Sequence, residues 1–259
     1  MGHNLLPTLP TSKKWRAVVE GLASGADATL VAALSAEAVE AQLRDGPRDP
    51  VYREAIRILT LAPMAARETE VATALRALGL QVGDASDLTD FVFAACDRLD
   101  QVALRGSKAN DFGELTRRAL VAAFSSTLGG EMPGLVEPTP ADLDRALRRL
   151  SQPREFTRLA RAFFSKLLSE TLSSFLDRVL ADHVGPGARF AHLGERSMFD
   201  DDIRTYCFET TRIIHEFSSG WYGKHAYGAE GLSDDAVATY GQVALRKILA
   251  ELSRRERAA

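Results

Sequence analysis

The sequence predicts an all-α protein: a multi-helix bundle of about nine to ten helices in two lobes, with a long central helix near 153–183. Apolar residues recur at three- and four-residue spacing almost end to end. Residues suited to helix starts and stops stand at the edges of these periodic stretches, and no convincing run of strict alternation marks a strand.

Taken in order, the first well-marked helix runs from a cap at or beside Asp27 to Asp45, with Gly46 as its stop and Pro47 beyond. Pro50 suits the first turn of the next helix, which Pro63 ends or kinks. A further helix stops near Gly79. Ser86 opens one that reaches about Arg105, and Asp111 with Glu114 has capping-box spacing for another ending at Gly129-Gly130. The stretch PVYREAIRILTLAPMAARETEVATALRALGL looks like paired antiparallel helices, without the self-similar period of a solenoid. Gly and Pro are concentrated in GGEMPGLVEPTP, 129–140, which places a boundary between an N-terminal helical lobe, 1–133, and a C-terminal helical bundle, 134–259. Thr139, Pro140 and Asp142 then open a short helix as cap, first-turn proline and dipole-matched carboxylate.

The long helix begins after Gln152-Pro153. Phe156, Leu159, Phe163 and Leu167 share one face, opposite Arg154, Arg158 and Arg161. Farther on, Leu168, Leu172, Phe175, Leu176 and Val179 form a stripe displaced towards the side where the arginines began, so different neighbours must cover its two ends. DHVGPGARF, 182–190, reads as its stop: His183 in the last turn, Gly185 in a left-handed turn, Pro186 preventing continuation. Gly185, Gly187 and Arg189 also invite a phosphate-loop reading, but the spacing fits neither a Walker loop nor a dinucleotide fingerprint and no strand precedes it. Helices near 198–219 and 233–257 close the bundle. Ser197 or one of Asp200, Asp201 and Asp202 is expected to cap the first of them, in preference to the aspartates gathering a cation. Glu209, Arg212 and Glu216 read as a surface ion-pair row.

Hydrophobic content of 46% and charged content of 26% exclude a mainly disordered chain, and a net charge of −3 makes no overall case for nucleic acid or an anionic membrane. Cys96 and Cys207 lie in apolar-periodic segments and read as buried reduced thiols, which implies a reducing compartment, most simply a cytoplasm. No window has the apolar length of a membrane span. The opening MGHNLLPTLPTSKKWR, broken by Pro7 and Pro10, is not read as a signal peptide, and Leu6 breaks a myristoylation motif. The preference for Arg over Lys, with many Ala, hints at a GC-rich bacterial genome.

No metal site and no cofactor are expected, because His183, His192, His215 and His225 show no pair at the one-face spacing of helix-borne ligands. The segment from Arg145 to Lys166 holds seven basic residues and one acidic, Glu155. Arg154, Arg158 and Arg161 are its anion or nucleic-acid candidates, although without interleaved aromatics a solvated or salt-bridged face is favoured.

EFSSGWYGKHAYGAEGLSDD, 216–235, reads as a turn-rich connection through Gly220, Gly223, Gly228 and Gly231, with Ser233, Asp234 and Asp235 starting the last helix. Its aromatics either plug the end of the bundle or form a partner-binding surface of Trp221, Tyr222, Lys224, His225 and Tyr227. The expected function is a cytoplasmic helical adaptor or accessory subunit contacting another protein or a second copy of itself. An enzyme with a site assembled from the 183–227 region is the first alternative, and nucleic-acid binding through 145–166 the second.

Overall fold

The computed structural model of the protein describes residues 12–106, 111–132, 138–228 and 231–257. The readings made of the opening MGHNLLPTLPT and of a boundary at 133–134 fall outside them.

Local caps account for most of the helix starts. α1 (Lys13–Ala23) begins at Ser12, whose hydroxyl accepts the Trp15 amide at 3.2 Å, and α2 (Ala28–Asp45) at Asp27, whose carboxylate accepts the Leu30 amide at 2.8 Å. Gly46 does follow α2, but in a right-handed conformation that opens a 3-10 turn, Gly46–Arg48. Glycine is needed there for space: a Cβ would stand 2.6 Å from the Phe112 ring. α3 (Pro50–Ala65) is capped by Asp49 and starts on Pro50; Pro63 falls within its last turn, so the helix runs two residues past it. α4 (Val71–Ala77) closes on Gly79, at φ +86°, with the Leu80 amide bonding back to the Leu75 carbonyl at 3.2 Å.

α5 (Leu88–Arg105) is capped by Asp87 rather than Ser86: Asp87 accepts the Asp90 amide at 2.9 Å and Asp90 accepts the Asp87 amide at 3.3 Å. The Ser86 hydroxyl is occupied by the Gly83 amide at 2.9 Å. In α6 (Asp111–Gly129), Asp111 is already helical and Glu114 pairs with Arg117 and Arg118, so the expected capping box is replaced by side-chain ion pairs. α7 (Pro140–Leu150) starts as expected, the Asp142 carboxylate accepting the Thr139 amide and hydroxyl at 3.0 and 2.7 Å. α8 (Pro153–Leu180) is the long helix, continued by a 3-10 turn, Ala181–His183.

Beyond it the sequence reading needs two corrections. α9 (Leu193–Thr210) starts earlier than expected because His192 caps it: Nδ1 accepts the Glu195 amide at 3.3 Å and Glu195 accepts the Ala191 amide at 2.7 Å, leaving Ser197 and the three aspartates inside the helix. α10 (Arg212–Ala226) then runs through much of the stretch read as a connection. α11 (Asp234–Glu256) is capped by Ser233 as expected. Among the described residues there are eleven α-helical segments, ten if α9 and α10, which Thr211 alone separates, are taken as one, and no strand. None of these helices is long and apolar enough to cross a membrane.

α8 is the spine, packed against α6, α9 and α10, while α11 packs against α2, α3 and α10. Both apolar stripes of α8 are buried except at Phe175, which is half-buried with its ring 5.6 Å from that of Trp15. One apolar cluster runs from Trp15 to Leu252, so side chains from both expected lobes share a core.

Candidate functional site

α2 and α11 run antiparallel. A shallow hollow sets Ala33, Ala36 and Glu37 against Leu252, Ser253 and Glu256, and a larger one sets Arg44 and Arg48 against Thr239, Gln242 and Arg246. The larger is an open groove of about 780 Å³. Leu43 and Leu245, buried, and Pro47, Val243 and Leu249, half-buried, form its floor; Arg44, Arg48 and Arg246 stand exposed on its rim. Along α11 the lining positions 239, 242, 243, 246, 249, 250 and 253 share one face, and Thr239 to Ser253 spans about 21 Å of helix.

The charge of the groove is unevenly compensated. Glu40 is held by Lys14 at 3.3 Å and by Arg44, contacts that keep its carboxyl below the usual range. Arg48 meets Asp45 at 2.8 Å with both side chains largely in solvent, a weak attachment. No ion pair engages Arg246 among the described residues. The result is an apolar trough with a cationic edge. Sequence reading missed it because its walls lie some two hundred residues apart. The one local signal was on α11, where Val243 and Leu249 widen the apolar stripe beyond the fully buried positions Tyr240, Ala244, Leu245, Ile248 and Leu252.

The residues expected to bind a partner divide into inner and outer groups. Tyr222 is buried in the core, stacked on Phe156 with centroids 3.8 Å apart, and its hydroxyl reaches the Thr60 carbonyl at 3.5 Å; burial raises its phenol well above the ordinary value. Helical periodicity turns it inward once α10 continues past Gly220. Trp221 is half-buried, stacked 4.3 Å from Tyr240, whose hydroxyl shares a 2.7 Å hydrogen bond with Ser218. Tyr227 is 53% exposed, yet the Arg67 guanidinium lies 4.4 Å over its ring and its hydroxyl donates to the Ser151 carbonyl at 3.2 Å. Lys224 is exposed and His225 half-buried against Trp221.

The basic island is largely occupied. Arg145 pairs with Asp142, Arg149 with Glu131, Arg158 with Glu155 and Lys166 with Glu170. Arg148 donates to the Ala66 carbonyl at 2.8 Å. Arg161 donates to the Phe208 carbonyl at 2.9 Å and lies 3.6 Å over the Phe208 ring, away from the exposed Arg154 and Arg158 in environment. Arg189 donates to the carbonyls of Leu22 and Ala26, and the Gly185 amide to Phe190 at 2.9 Å, so the 182–190 loop turns these donors onto the protein itself.

Among the acids near 200, Asp200 lies 3.6 Å from Arg196 and burial raises its carboxyl, while Asp201 pairs with Arg204. No group of three or more His, Cys, Asp or Glu placed to hold a metal ion occurs among the described residues. No family model, no curated protein and no solved structure matches the chain.

Proposed function

We propose that the protein is a helical adaptor or accessory subunit that works by contact, and that the α2–α11 groove receives its partner. The supporting observation is the groove itself: a trough about four helical turns long, apolar along its middle, open to solvent and edged by Arg44, Arg48 and Arg246. An amphipathic helix laid in such a trough buries its apolar face while its flanking charges meet the rim. Trp221 and Tyr222 belong mainly to the core in this reading, and Tyr227 with Lys224 offers a smaller second surface. The free thiols Cys96 and Cys207 fit a reducing cytoplasm, as in a bacterium.

A photo-crosslinking amino acid placed at Val243 or Ala250 in cells of the source organism tests this. One discrete adduct, absent when the crosslinker is at exposed Glu216 on α10, is expected. No adduct from the groove above the Glu216 background overturns the reading.

A further inference from the structure

We propose that the occupant of the groove is α5 of a second copy of this chain, so that the protein assembles head to tail. This rests on the groove being a contact site. The outer face of α5 carries two of the most exposed large apolar side chains of the described residues, Phe93 at 69% and Leu104 at 85%. Asp97 and Asp100 stand exposed between them. Positions 93, 97, 100 and 104 share one helical face, and the two apolar residues are separated by about 16 Å along the axis. That length fits within the trough of about 21 Å described above.

The two surfaces match in kind and in charge. The ridge reads apolar, acidic, acidic, apolar; the groove offers a short apolar floor, Arg246 without an ion pair among the described residues, Arg48 loosely held by Asp45, and Arg44 shared with Glu40. Neither aspartate is tightly committed: Asp97 accepts the Gln101 side-chain amide at 2.7 Å, and Asp100 is 3.6 Å from an Arg117 that also holds Glu114. Docking covers Phe93 and Leu104, which otherwise stand in water on a helix whose other face is packed on α3 and α6. A two-fold pairing of groove on groove would set arginine rim against arginine rim, and like-charge juxtaposition opposes it. Ridge and groove are different surfaces of one chain, so the contact is heterologous and propagates until a ring closes or a filament grows.

Sedimentation or light scattering of the purified protein tests the proposal. The wild type should gain mass with concentration and lose it with added salt. A groove variant, Arg48→Glu with Arg246→Glu, and a ridge variant, Asp97→Arg with Asp100→Arg, change exposed side chains only, and circular dichroism should show both folded. Each alone should be monomeric, its association weakened about a hundredfold or more. Mixed, the intact ridge of one meets the intact groove of the other, and the reversed ridge and reversed groove are again opposite in charge, so the mixture should regain association. A wild type monomeric at its highest soluble concentration, or a mixture that stays monomeric, overturns the proposal. If the groove crosslinker then captures a different protein, the contact reading stands and self-assembly falls; if it captures nothing, both fall.

Discussion

Phe163 and Phe175 lie on one helix, twelve residues apart, in different surroundings. Phe163 has no exposed surface and packs edge-on to Phe164 at 5.0 Å; Phe175 is half-buried between Trp15 and the Arg178 guanidinium. Phe163→Ala should therefore cost about 3–5 kcal/mol, and Phe175→Ala no more than about half that, because water already reaches one side of its ring. Urea denaturation of both variants checks this; equal losses would contradict the difference in burial. The periodicity of α8 foretold both stripes, since 100° per residue fixes which side chains share a face. The exact capping residue was less legible. Ser86 and Asp87 are both good caps by type, and the choice turned on the Gly83 amide already occupying the Ser86 hydroxyl. His192 is the less expected cap because a ring nitrogen is an uncommon acceptor at that position, whereas Ser197 and the aspartates beyond it are of a more familiar type.

Several helices end on an arginine supplied by another element. Arg189 donates to Leu22 in the last turn of α1 and to Ala26 in the α1–α2 turn, Arg148 to Ala66 after α3, Arg57 to Leu78 after α4, and Arg67 to Ala226 at the end of α10. A cation meets the negative end of the helix dipole there and fills carbonyls that have no intrahelical donor. Arg189→Ala should lower stability by about 1.5–3 kcal/mol, and Arg189→Lys should recover only part, because one ammonium cannot reproduce the planar fork. Arg212→Ala, which breaks an exposed pair 3.6 Å long with Glu216, should be nearly silent. Thermal or denaturant melts of the three variants would expose a uniform response if these arginines served only as surface charge. Composition alone presented the arginines as a genomic bias, since their acceptors lie on remote helices. The misreading of α10 has a related cause. Gly220 and Gly223 each weaken a helix by about 1 kcal/mol, a local signal that the stacking of Trp221 and Tyr222 on Tyr240 and Phe156 overrides.

Across the whole molecule, burial places Tyr52, Tyr222, Tyr240 and Cys207 where only their neutral forms are comfortable, and raises all four above ordinary values of 10.0 for the phenols and 9.0 for the thiol. The folded chain keeps protons that the unfolded chain releases, so this contribution to stability is complete below those ordinary values and is lost as pH rises towards the shifted ones. The urea midpoint should hold steady through neutral pH and fall increasingly from about pH 9 upwards. Tyr222→Phe should flatten part of that fall, and a midpoint unchanged well above pH 10 would contradict the burial of these groups. The all-helical class was legible because it is written in local periodicity, whereas neighbour relations were not. α11 lies on α2 and α3, and the Tyr52 hydroxyl donates to the Gly241 carbonyl at 2.8 Å across 189 positions. That bond bears on the order of synthesis. At about 5–20 residues per second, roughly 10–40 s pass between translation of Tyr52 and of its acceptor. Throughout that interval the faces of α2 and α3 that α11 will cover remain bare on the ribosome, a surface for a chaperone to shield until the late helix arrives.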